Sequence, residues 1–200
     1  MLPPSSHGET RLVLRAAAAI VFGALFVIGL RAGDGVPENG PRTGDLLPFQ
    51  VLFRDAPPPV QRMYREMQEG VVEAENARIA TKQWPAVTTL EAQGIPPFAL
   101  ASPPYRWRLV RDGVFVNYIG TPLSASDGPG FLALIQEPDP HYVDTATAPL
   151  DEVHHRLTDG TLLHVSIWFR AAADAAPADR VLTQPFTAGW TQVLVGPQGY

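Results

Sequence analysis

The chain has 200 residues, no cysteine and a net charge of −5 at pH 7. Without thiols it has no disulfide scaffold, thiolate zinc site, iron–sulfur cluster or cysteine nucleophile. The acidic balance argues against non-specific nucleic-acid binding, and a hydrophobic fraction of 46% is enough for a packed core.

Residues 1–11 are a short N-terminus ahead of an apolar run. Ala16 to Leu30 reads AAAAIVFGALFVIGL, with no charge. Extended back to Leu12, the run holds a single arginine, Arg15. A spanning helix needs ~20 residues, with ~17 as the lower limit. A transmembrane anchor is therefore expected over residues 12–31, with Arg15 reaching to the interface. Arg11 and Arg15 precede the run, so the N-terminus is expected in the cytoplasm and the C-terminal body in the periplasm. The rival reading is a cleaved signal ending at Ala32, whose Leu30 at −3 suits cleavage poorly. Both place residues 33–200 outside the cytoplasm.

Residues 32–56 are rich in glycine, proline, Asp and Asn and read as a linker. Residues 57–200 read as one α+β domain. Pro57-Pro58-Pro59 precedes a helical pattern from Val60 to about Lys82. Val60, Met63, Met67, Val71 and Ala74 form an apolar stripe. Arg62, Arg65, Glu66, Glu69, Glu73 and Glu75 read as the solvated face. Gly70 lowers helix propensity by about 1 kcal/mol relative to alanine and reads as a soft point. A second helix is expected over Ala86–Gln93, with Gly94 as its cap.

Strands follow. Tyr105–Val110 and Val114–Ile119 flank Asp112-Gly113, a hairpin signal. Phe131–Gln136 is apolar throughout and reads as a central strand. Val153–Thr158 and Thr161–Phe169 flank Asp159-Gly160. Val181–Thr183 and Thr191–Val195 read as edge strands. The expected fold is thus an N-terminal transmembrane helix, a long amphipathic helix and an antiparallel β-sheet. The four tryptophans read as core.

A type I′ turn at Asp159-Gly160 would set His155 opposite His164, their Cβ atoms ~4.5–5.5 Å apart. Two such imidazoles can chelate one transition metal ion. His154 and Glu152 would then face the other way. His141 and the carboxylates Asp139, Asp144, Asp151 and Glu152 are further donors within reach. Nitrogen and oxygen donors suit zinc or iron better than copper(I). The other reading of these histidines is structural, with hydrogen bonds to neighbours only. No H-E-x-x-H, G-x-S-x-G, Walker A or G-x-G-x-x-G motif occurs, so no enzymatic activity is expected.

The element order resembles the pilin and pseudopilin layout, without the prepilin junction. The segments EGVVEAENAR (69–78), WPAVTTLEAQGIPPFA (84–99) and DEVHHRLTDGTLLHVSIW (151–168) resemble an uncharacterised family of small bacterial single-pass proteins. That family is associated with metal ABC-transporter and siderophore-iron release gene clusters, which also encode PepSY-type membrane proteins. The resemblance implies an inner-membrane, periplasm-facing accessory role in metal or metal–siderophore uptake. It implies partners such as transporter components or a membrane reductase, and brings no catalytic residues. The pilin-like layout implies instead a scaffold without a metal.

Overall fold

Proline sets the start of the first helix, α1 (Pro58–Thr81). A first-turn proline loses no hydrogen bond, and its fixed φ already suits the helix. The helix stops at Lys82, which takes the left-handed conformation (φ 59°) and donates its N–H to the Arg78 carbonyl. In this computed structural model, residues 46–99, 105–124, 128–139, 151–171 and 180–196 are described. The expected anchor at 12–31 lies outside them. Among the described residues, no helix is long and apolar enough to cross a membrane.

The expected stripe of α1 is buried in full, and Tyr64, Gly70 and Glu75 are buried with it. Glu75 therefore does not belong to the solvated face. It follows Val71 by four residues and Met67 by eight, a spacing that returns to one side of a helix. Glu69 and Glu73 do face solvent. The second helix, α2 (Val87–Ala92), is anchored by Leu90 and ends before Gly94, whose φ is 76°.

Among the described residues, seven strands form one sheet: β1 (Gln50–Leu52), β2 (Tyr105–Asp112), β3 (Phe115–Pro122), β4 (Gly130–Gln136), β5 (His154–Arg156), β6 (Leu162–Arg170) and β7 (Thr191–Leu194). The order is β1-β7-β6-β4-β3-β2, with β5 paired to β6. The sheet is mixed, which corrects the antiparallel expectation, because β1 runs parallel to β7. Chain that crosses over a long connection can return in either sense. β1 lies within the stretch read as a linker, and β7 is interior. Val181–Thr183 is no strand; Leu182 is held instead by the Asn117 side chain.

Alternation along the strands gives two apolar layers. Val116, Tyr118, Phe131, Ala133, Ile135, Leu163, Val165 and Ile167 face α1 and form the larger core. Ile119, Leu132, Leu134 and Trp168 face the other way and pack with Trp190. All four tryptophans are buried. β4, the apolar strand, lies between β3 and β6 with both faces covered, as its composition demands.

Candidate functional site

The β5–β6 hairpin carries three of the five histidines, and its turn decides how they meet. Leu157 donates its N–H to the Thr161 carbonyl, leaving three residues in the loop, Thr158, Asp159 and Gly160. Only Gly160 has positive φ (87°). This is the three-residue hairpin with a left-handed third position, not the two-residue type I′ turn, which needs two positive φ values. The Asp159 carboxylate accepts from the Thr161 N–H (3.1 Å) and from Lys82 Nζ (3.0 Å). The Thr161 side chain first, then Lys82 and the Thr161 N–H, draw the Asp159 carboxyl far below the usual range.

The longer loop moves the register by one residue. His154 pairs with His164, and His155 pairs with Leu163. The expected His155–His164 pair is therefore corrected to His154–His164, because each one-residue slip exchanges the faces of a strand.

His155 turns toward α1. Its Nδ1 lies 2.6 Å from Glu75 Oε1, and its Nε2 lies 3.2 Å from the Glu152 carbonyl. Both neighbours are acceptors, and only the imidazolium offers two N–H donors. The Glu75 bond raises the His155 pKa above its ordinary value against the opposing effect of burial. A raised histidine pKa stabilises the fold fully below the unfolded value, and the gain is lost as pH rises through the folded value. The melting-temperature gap between wild type and His155→Gln is thus expected to narrow as pH rises from about 6 to about 9. A gap that stays constant over that range would show an uncharged pair.

His154 and His164 share the opposite face, their ring centroids 5.0 Å apart and their planes nearly perpendicular. His154 Nδ1 lies 2.7 Å from Asp151 Oδ1, which also accepts the N–H groups of Val153 and His154. Burial raises the Asp151 pKa, but these bonds outweigh it and the net shift is downward. Burial and then the His154 charge lower the pKa of His164. This histidine therefore stays neutral to lower pH than an ordinary one, and its stability contribution falls as pH drops.

Glu152 contributes its carbonyl to His155, while its carboxyl is raised by burial and by Asp151. It in turn helps burial push Tyr64 up to about 12. His141 and Asp144 lie outside the described residues. Among the described residues, no three His, Asp or Glu side chains are grouped to hold a metal ion.

A second feature is an open cleft of about 780 Å³, lined in part by Arg78, Arg111, Glu137, Asp139 and Thr161. Several of the charges in and beside it are paired. Glu137 bridges Arg78 (2.9 Å) and Arg111 (3.5 Å), and Asp159 bridges Lys82 (3.0 Å) and Arg78 (3.9 Å). The chain of pairs ties the end of α1 to the turns beneath it.

Sequence reasoning missed Glu75, although its i+4 spacing from Val71 was a usable signal. Residues 51–197 match a family model described as a family of unknown function (DUF6162). The chain belongs to that family. The match includes the three segments that suggested membership of an uncharacterised family. No curated protein and no solved structure matches the chain. In this chain the matched region is a helix-backed mixed sheet with a histidine pair on one face and a histidine–glutamate pair on the other.

Proposed function

We propose that this protein is a membrane-anchored periplasmic accessory protein for metal or metal–siderophore uptake, holding a divalent transition metal through His154 and His164. The 5.0 Å ring separation carries the reading. One nitrogen from each ring can reach a common ion at ~2.0–2.1 Å after small side-chain rotations. Asp151 on His154 Nδ1 supports it, since metal-binding histidines usually give their second nitrogen to a carboxylate. The lowered pKa of His164 keeps that ring in the neutral, ligating form.

Two protein ligands leave coordination positions for water, a chelator or a partner's side chain. Such a site binds modestly and releases readily, which suits handing zinc or iron to a transporter component or a membrane reductase. The anchor over 12–31 would keep the domain beside those partners.

Titration of the full-length protein in detergent with Zn²⁺ tests the reading. His154→Ala and His164→Ala are each expected to weaken binding by about tenfold or more, since each removes one of two ligands. Unchanged affinity in both variants would overturn the metal site. Purification of a membrane complex that is indifferent to both substitutions would favour the pilin-like scaffold.

A further inference from the structure

β5 is only three residues long; the Thr158–Gly160 loop sets its register, and the bond from the Val165 N–H to the Val153 carbonyl (2.7 Å) ties its N-terminal end to β6. Its neighbouring histidines make the register matter, because one step exchanges which of them faces His164. Two side chains on the helix side of the hairpin reinforce it. Leu157 is buried in the helix-side core. His155 is gripped by Glu75, a residue only 6% exposed and fixed on α1.

We infer that Glu75 is a positioning residue for the metal pair, acting through His155. The inference rests on the assignment of His154 and His164 as ligands. The path runs through named contacts. Glu75 Oε1 holds His155 Nδ1 at 2.6 Å, and His155 Nε2 meets the Glu152 carbonyl at 3.2 Å. That contact closes the 151–153 turn, which presents Asp151. Asp151 in turn receives His154 Nδ1 at 2.7 Å and two backbone N–H groups at 2.9 Å. His154 is thus aimed at His164 from the helix behind the sheet. Loss of the Glu75 contact loosens His155 and, through the Glu152 carbonyl, the segment that orients His154.

The test compares wild type, Glu75→Gln and Glu75→Ala as full-length proteins, by Zn²⁺ titration and by amide hydrogen exchange. Supporting groups behind metal ligands typically change affinity by about 10- to 100-fold, and Glu75→Ala is expected in that range. Glu75→Gln keeps an oxygen acceptor for His155 and is expected to recover part of the loss. A bond that only stabilised the fold would not grade metal affinity this way at equal melting temperature. Exchange at residues 154–156 is expected to quicken by about tenfold or more in Glu75→Ala, with α1 unchanged. Wild-type affinity and wild-type exchange in Glu75→Ala would overturn the inference. If wild type itself binds no Zn²⁺, the metal reading fails, and exchange at β5 still decides whether Glu75 positions the strand. Should Glu75→Ala not fold, His155→Gln carries the same two expectations.

Discussion

Gly70→Ala is expected to destabilise the protein by about 2–3 kcal/mol, in the range for overpacking a tight interior. Helix propensity alone points the other way, favouring alanine by about 1 kcal/mol. The packing decides the sign. A Cβ at position 70 would sit 2.5 Å from the Pro96 carbonyl oxygen, 2.9 Å from Phe98 Cε2 and 3.1 Å from Pro97 Cδ. The first of these is backbone and cannot rotate aside. α1 and the 95–98 segment would have to separate. Phe98 could not follow freely, because its ring packs against Trp107 (5.3 Å) and Tyr118 (5.5 Å). The strain would therefore spread into the helix-side core. Gly70 is thus a point of close approach on α1 rather than a soft point. Urea unfolding of Gly70→Ala beside Glu73→Ala, an exposed control on the same helix, checks this. The control is expected within about 0.5 kcal/mol of wild type. A stabilised Gly70→Ala would mean that propensity outweighs the contact.

The features readable in the sequence were those written in local pattern. The stripe from Val60 to Ala74 repeats at helical spacing over four turns, and it is the buried face of α1. Asp112-Gly113 announces a real hairpin, although Asp112 pairs with Phe115 and the loop is Gly113-Val114, with Gly113 at a positive φ (54°). β4 could be placed centrally because no strand of that apolarity survives on an edge. What stayed hidden depended on distant partners. β1 is three residues in a glycine- and proline-rich stretch, and its partner β7 lies some 140 residues further on. The Asp159-Gly160 turn admits two loop lengths on local grounds. The longer one prevails where Asp159 meets Lys82 and Arg78 from α1. The histidine pair was therefore legible as a hairpin feature, but one residue out of register. Glu75, which holds it, looked like one more surface carboxylate.

The other large effect lies on the opposite face of the sheet. Asn117→Ala is expected to cost about 3 kcal/mol, roughly the penalty for two backbone groups left without partners. Asn117 is fully buried near the middle of β3, between Val110 of β2 and Leu134 of β4. Its Oδ1 accepts the Leu182 N–H at 2.6 Å, and its Nδ2 donates to the Leu182 carbonyl at 3.3 Å. One side chain thus supplies the donor and acceptor that a neighbouring strand would supply, which is why Leu182 needs no strand around it. Alanine removes both bonds and leaves a gap beside the layer formed by Ile119, Leu134, Trp168 and Trp190. The segment from Leu182 runs through the short 3-10 turn Pro185–Ala188 directly into β7, the strand that joins β1 to the sheet. Loosening at Leu182 is therefore expected to reach β7, and its amides should exchange faster together with that of Leu182. Asn117→Asp separates the two bonds. It keeps the acceptor for the Leu182 N–H but sets a carboxylate against the Leu182 carbonyl in a fully buried site. It is expected to be at least as damaging as alanine near neutral pH and to recover as pH falls and the carboxyl is protonated. Thermal melts at two pH values distinguish the cases. Equal stability of Asn117→Ala and wild type would show that the 182 segment holds its place by apolar packing alone.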